Sequence, residues 1–306
     1  MAEEKKENKK RLIVIDGNAV IHRAFHALPP LKTKKGELVN AVYGFLLVFF
    51  KAIKEFQPDF IAATFDFPAP TFRHQKYKPY KATREKAPEE LYQQIPKTKE
   101  VLKGFNVQIF EKQGFEADDL IATICQKTQK QQIFPEIQIY ILTGDSDACQ
   151  LINKNIKIYT LGRRIKEEII YDENKIKEKF GLLPSQMNDF KALAGDPSDN
   201  IPGATGIGKK TAIELLKNFE SLENLYKKIE KGETEKLRPR ILDILIKNKE
   251  QVFLSRQLVQ ARFDVPIDFE IDNYKFANFD SQTVKKIFED FGFRSLIARI
   301  PNEKKN

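Results

Sequence analysis

Five acidic elements recur along the chain: Asp16 in Ile-Asp-Gly-Asn, Asp66, Glu116-Ala-Asp118-Asp119, Asp145-Ser-Asp147, and Asp196-Pro-Ser-Asp199. Hard divalent cations such as Mg²⁺ take oxygen ligands and few direct protein contacts. A two-metal phosphodiester hydrolysis sets its ions roughly 3.5–4 Å apart, one activating water and the other stabilising the leaving oxygen. So many acids gathered in one place would repel one another unless cations joined them. Any single cluster reads equally well as a helix cap, because Asp and Glu are favoured at helix N-termini. Jointly, the five elements point to metal.

Two further stretches carry chemistry. Residues 72–86 hold Arg73, Lys76, Lys78, Lys81, Arg84 and Lys86 against one acid, Glu85, with Phe72, Tyr77 and Tyr80 interleaved. Cations can track a phosphate backbone while aromatics stack on bases, which holds a single strand without reading its sequence; a solvated charged loop is the plainer alternative. The second stretch, Gly203 to Lys210, nearly spells a phosphate-binding loop, but Lys210 stands where Ser or Thr should hold Mg²⁺, and a Pro-containing turn precedes it in place of a strand. A helix-hairpin-helix element fits better. Gly206 and Gly208 would allow a tight turn, and a helix over 209–218 would aim its N-terminal amides, with Lys209 and Lys210, at a duplex phosphate. Such contacts position a duplex and carry no sequence information.

The elements that must position these groups follow from periodicity. Arg11–Asp16, Asp59–Asp66, Phe105–Phe110 and Glu136–Thr143 read as strands, Asn40–Phe56 as a long buried helix, and 116–130 as a helix opening on its acids. A Pro-punctuated basic segment begins at Phe67, passes at about Pro88 into an amphipathic helix, and closes at about Gly104. Strand–helix alternation implies βαβ units and a mostly parallel sheet, whose sites form at the carboxyl ends of strands. Asp16, Asp66 and Asp145 fall at such ends. Beyond about Tyr171 the pattern is almost wholly helical. The expected organisation is a charged tail at 1–10, an α/β catalytic domain at 11–182 with a basic arch at 67–104, and a helical region at 183–306 with the hairpin element at 199–218.

Composition sets outer limits. The chain has 306 residues, 41% hydrophobic and 31% charged, with a net charge of +9. That is a globular balance leaning toward a polyanionic partner. The longest apolar run, Phe45 to Phe50, is far too short to span a bilayer, and the N-terminus has no signal-like apolar stretch. Cys125 and Cys149 form no CxxC pair, which fits a reducing cytoplasm. His22 and His26 lie four apart, and packing or solvent suits them better than metal.

At the acidic clusters the sequence resembles the 5′-nuclease family of bacterial DNA polymerase I N-terminal domains, phage 5′-exonucleases and flap endonucleases. The matching stretches are 15–37 (IDGNAVIHRAFHALPPLKTKKGE), 40–45, 65–84 (FDFPAPTFRHQKYKPYKATR), 114–123 (GFEADDLIAT), 142–151 (LTGDSDACQL) and 195–212 (GDPSDNIPGATGIGKKTA), in family order. The resemblance implies a resolvase-like (PIN-like) α/β fold with a helical arch. It implies metal-ligand roles for Asp16, Asp66, Glu116, Asp118, Asp119, Asp145, Asp147, Asp196 and Asp199, holding two or more Mg²⁺ ions with Mn²⁺ as a substitute. Lys81 and Arg84 would reach the scissile phosphate. Arg73, Lys78 and Tyr80, together with Gly206, Gly208, Lys209 and Lys210, would contact DNA, Arg23 and Tyr43 are candidates for the same role that could equally be structural, and K⁺ would bind at the hairpin. The implied substrates are DNA 5′ flaps, forks and 5′ ends, with RNA primers among them, cut by a monomer in replication and repair. Thr83 stands where relatives usually have Gly, and Asp145-Ser-Asp147-Ala-Cys149 departs from the commoner GDKDLLQL; neither change removes an acid. A non-catalytic structure-specific DNA-binding module would need this acid set broken, and an RNase of related architecture would usually lack the hairpin.

Overall fold

The computed structural model describes residues 9–131, 137–161, 168–276 and 279–301; what the sequence suggests for the charged tail lies almost wholly outside them. Among these residues six strands form one sheet in the order β3-β2-β1-β4-β5-β6. They are β1 Lys10–Asp16, β2 Phe60–Thr64, β3 Gln108–Phe110, β4 Ile137–Leu142, β5 Ile156–Leu161 and β6 Glu168–Tyr171. All neighbours pair in parallel except β5 and β6, which are antiparallel. The chain runs outward from β1 through β2 to β3, then crosses back to β4 on the other side of β1. That reversal makes the carboxyl ends of β1 and β4 a topological switch point, where open α/β sheets open a crevice.

The last five residues of β1 are buried, as expected of a strand covered on both faces. Its side chains alternate between two cores. Leu12 and Val14 join one with Leu120, Ile121 and Ile124. Ile13 and Ile15 join the other with Phe45, Phe49 and Phe105. Helices α1 Gly17–Ala27, α2 Asn40–Phe56 and α5 Gln94–Gly104 cover the second face, with the short turns α3 Phe72–Lys76 and α4 Glu89–Tyr92 in the arch region. Helix α6 Ala117–Lys130 covers the first face. The helical unit comprises α7 Glu173–Phe180, α8 Met187–Ala194, α9 Lys209–Phe219, α10 Leu222–Glu230, α11 Pro239–Lys247 and α12 Lys249–Val259.

The expected helical region at 183–306 is not one unit. After α12 the chain returns across α6: the Thr123 hydroxyl accepts from the Val265 amide (3.2 Å), and Lys127 Nζ donates to the Ile267 carbonyl (2.6 Å). It then bridges Phe60 through Lys275, and the Phe276 amide donates to the Asp59 carbonyl at 2.7 Å. Helices α13 Ser281–Phe291 and α14 Arg294–Ile297 finish against α5 and α2. The reason is apolar: Val284, Phe288 and Phe293 are buried among Phe50 and Phe105, completing a core that α2 alone leaves open.

Candidate metal centre and nucleic-acid interface

Asp16 ends β1 and caps α1: one oxygen accepts the Ala19 amide at 3.0 Å, the other the Thr143 hydroxyl at 2.7 Å. Helix α1 can start this close to the sheet because its first residue is Gly17; a Cβ there would lie 2.3 Å from the Phe65 ring. Asp66 lies two residues past β2. Its amide donates to Asn18 Oδ1 at 2.9 Å, and its carboxylate accepts the Ala117 amide at 2.8 Å, at the positive end of α6. Asp145 follows β4, accepts the Asp147 amide at 2.9 Å, and donates its own amide to Thr143. Asp118 sits in the first turn of α6, and its carboxylate accepts no hydrogen bond among the described residues. These acids and Glu116 line one cleft of about 520 Å³ together with Asn18, His22, Lys81 and Arg84.

The electrostatics are strained toward cation binding. Burial, then the charges of Asp66 and Asp145, pushes Asp16 up to about 7 despite its two hydrogen bonds. Burial and repulsion by Asp145, Asp16 and Asp147 hold Asp118 well above the usual carboxylate range. Asp147 is raised to about 7 by burial and Asp145, a rise that Lys191 moderates. Among the described residues no three acid, Cys or His side chains converge as a ready-made metal shell. Mg²⁺ keeps several waters and takes only one or two carboxylates directly, so acids spread around a cleft suit it. The donor set fits: all oxygen, mutually repelling, with Asp118 accepting no hydrogen bond among the described residues.

The other acids are held by the protein's own cations. Lys191 of α8 bridges Asp147 and Asp196, 2.6 Å from the latter, and Asp196 is held below its ordinary value because Lys191 and Ser198 outweigh its burial. Lys81 Nζ lies 3.1 Å from Glu116 and 3.8 Å from Asp199, while Arg84 is 3.5 Å from Asp199. Burial works against the Lys81 charge, but Glu116, Asp199 and Asp118 prevail and raise its value.

Several expectations need correction. Asp119 is fully buried and saturated: Arg73 holds both its oxygens at 2.7 and 2.8 Å, and the Glu116 and Arg262 amides donate to it at 3.0 and 2.8 Å. Its two oxygens accept four donors and it does not line the cleft, so Asp119 serves here as the N3 partner of the cap, while Glu116 and Asp118 of the same element line the cleft. Arg73 is buried and lies outside the cleft lining; it also donates to the Leu258 and Gln260 carbonyls and lies 3.5 Å from Glu116. Tyr80 is also interior, its hydroxyl 3.0 Å from Glu116 and 3.1 Å from Asp199, so it cannot stack on a base as placed. Tyr43 bonds Ser295 in the C-terminal return at 3.0 Å and is absent from the cleft lining. Gly206 has the positive φ (+98°) of a tight turn, but Gly208 does not; it is the N-cap of α9, with open space where a Cβ would stand.

Lys78, Lys209 and Lys210 are exposed, and Arg23 reaches from α1 over Gly144 to the Thr160 hydroxyl at 3.4 Å. Sequence reasoning missed Lys191, Thr143 and Asn18, which sit in ordinary helical or strand-end contexts. Their roles arise only when the loop at 196–201 and the ends of β1, β2 and β4 meet. Tyr92 lines the cleft and is 43% exposed, whereas the aromatics singled out in 72–86 are partly or fully covered.

Comparison with known proteins agrees with this fold. Residues 11–181 match a family model described as 5′-3′ exonuclease, N-terminal resolvase-like domain, and 182–282 match one described as 5′-3′ exonuclease, C-terminal SAM fold. The chain is 37% identical to a 5′-3′ exonuclease of Aquifex aeolicus over 291 residues, covering 95% of each. It is 36% identical to DNA polymerase I of Bacillus subtilis over 292 residues, 95% of this chain but 32% of that protein. The chain thus spans about a third of the length of its polymerase relatives. Among solved structures, T5 5′-exonuclease with bound zinc superposes with TM-score 0.66 at 19% identity, covering 93% of this chain and 99% of that one. The catalytic core of Rad2 in complex with DNA substrate superposes with TM-score 0.60 at 19% identity, covering 95% and 93%.

Proposed function

The chain belongs to the 5′-3′ exonuclease family, and from that premise we propose that it hydrolyses DNA phosphodiesters at 5′ ends, flaps and forks with the help of divalent cations. The observation that carries this is the cleft lined at once by Asp16, Asp66, Glu116, Asp118 and Asp145 and by Lys81 and Arg84. The acids alone would make a cation site; the two cations beside them add a place for the phosphate that those ions act on.

The acids fit Mg²⁺, with Mn²⁺ as an alternative of like chemistry. When bound, such ions supply an activated water and neutralise charge on the leaving oxygen. Asp118 and Asp145 face the cleft with oxygens to spare, while Asp16 is oriented by Thr143 and the Ala19 amide. Lys81, charged throughout the neutral range, and Arg84 stabilise negative charge that builds on the phosphate oxygens. Lys209, Lys210 and the free amides at the start of α9 hold the duplex at a distance from the cut. That the relative named T5 5′-exonuclease binds zinc and the Rad2 core binds a DNA substrate supports the same reading. RNA primers as substrates, potassium at the 203–208 turn and action as a monomer rest on family resemblance.

Cleavage of a 5′-labelled flap tests the proposal. Product with Mg²⁺, none with EDTA and none with Asp145→Asn is the expected set. Undiminished cutting in EDTA would overturn the metal mechanism, and DNA binding without cutting under any divalent ion would make the chain a structure-specific binding module.

A further inference from the structure

Two non-glycine residues in the left-handed region face each other across the site: Lys81 at φ +54° and Asn200 at φ +55°. Asn, with its short polar side chain, visits that region at little cost, but a Lys held there must be over-determined by its surroundings. The surroundings are specific. The Lys81 amide donates to the Asp199 carbonyl at 2.9 Å. In return Asn200 Nδ2 donates to the Pro79 carbonyl at 2.7 Å. Within the arch base, Tyr80 and Ala82 amides donate back to Tyr77 and Pro79, making a tight double turn around Lys81. On the far side, Asn200 belongs to the loop closed by the Asp196–Ile201 bridge, three residues before Gly203 opens the hairpin turn.

We propose that Asn200 is a positioning residue: its amide clamps the Pro79 carbonyl, holding Lys81 in the one backbone conformation that aims its ammonium at Glu116 and the cleft. The clamp also joins the element that grips the duplex to the element that meets the scissile phosphate, and its two reciprocal hydrogen bonds act beside the Tyr80, Lys81 and Arg84 contacts to Asp199. The part concerning cleavage rests on the nuclease reading; the part concerning Lys81 does not.

Asn200→Gly is the discriminating variant. Glycine relaxes at φ +55°, so the loop stays unstrained and only the donor is lost. The intact chain, Asn200→Gly, Lys81→Ala and the double variant are compared in single-turnover flap cleavage, with melting temperature as a check on folding. A misplaced group near the reacting atoms costs up to about a hundredfold, and the expected loss for Asn200→Gly is about tenfold in the single-turnover rate with duplex affinity unchanged. In the Lys81→Ala background the same substitution should change the rate by less than about twofold, since acting through Lys81 leaves nothing further to lose. Equal losses in both backgrounds would overturn the proposal. A second readout needs no catalysis: reductive methylation followed by mass spectrometry should label Lys81 faster in Asn200→Gly, with exposed Lys34 unchanged. Unaltered Lys81 labelling would overturn the proposal as well, and a folded parent chain that fails to cut would overturn the nuclease reading while leaving the labelling result to judge the clamp.

Discussion

At the scale of single residues, the cleft trades stability for a charge pattern. Asp118 is repelled by Asp145, Asp16 and Asp147 and gains no hydrogen bond among the described residues in return. Asp118→Asn should therefore melt about 2 °C or more higher than the parent in EDTA, the shift that roughly 1 kcal/mol makes in a chain of this size, while flap cleavage falls below detection. A lower melting temperature would show the carboxylate to be structural. The titrations give a second outcome. Asp16 and Asp147 rise from the ordinary 3.8 to about 7, so the metal-free native state binds more protons than the unfolded chain between those values. These two groups favour folding below 3.8, and that contribution is lost as pH rises through about 7. Asp196, held low by Lys191, acts in the opposite sense, losing its contribution as pH falls. On the proposed reading divalent ions compete with the proton on Asp16, which lines the cleft, so Mg²⁺ should raise the melting temperature more at about pH 8 than at about pH 5.5. A shift independent of pH would sink that linkage.

At the scale of elements, Arg73 and Asp119 tie α3, α6 and the chain leaving α12 into one joint. Breaking a buried pair by removing one partner costs about 3–5 kcal/mol. Asp119→Ala should lower the melting temperature by many degrees, yet leave the Mg²⁺ midpoint of the residual cleavage unchanged, because Asp119 does not line the cleft. A shifted midpoint with normal stability would return Asp119 to the metal set. This joint also shows what the sequence could and could not reveal. Strands β1, β2 and β4, helix α2 and the start of α9 were legible because long apolar runs and glycine turns are local signals. The acids were legible as a group for the same reason, lying at strand ends and first helical turns. Which of them are spent on neighbours was not legible: Asp118 and Asp119 are adjacent, and only the fold turns one to the cleft and the other to Arg73. Strands β5 and β6 were missed because Ile156–Leu161 is short and interrupted by lysine, and β3 shrank to three residues for want of apolar length. The cations of 72–86 looked alike in sequence, but Arg73 is interior and Lys78 is exposed.

At the scale of the whole molecule, the last described stretches, residues 260–276 and 279–301, bind back first onto α6 and then onto elements from the first third of the chain. Phe288 and Phe293 are almost fully buried, and burying one such ring contributes about 1.5–3 kcal/mol. A chain ending after Gln260 should lose several such rings from the second core and expose Phe49, Phe50 and Phe105. Expected outcomes are aggregation on expression, or a soluble product with strong binding of a hydrophobic dye. A truncated chain that stays monomeric with the parent's melting temperature would show the return to be dispensable. The same return bears on how the protein is made. Synthesis is vectorial, and domains ordinarily fold as they emerge. Here β1 and α2 leave the ribosome early, but their aromatic face must wait some 230 residues for α13, a contact separation that slows folding. Until then the nascent chain carries an uncovered phenylalanine surface, so docking of α13 and α14 is a late closure of the second core, and the demand on chaperones should be greatest just before those two helices emerge.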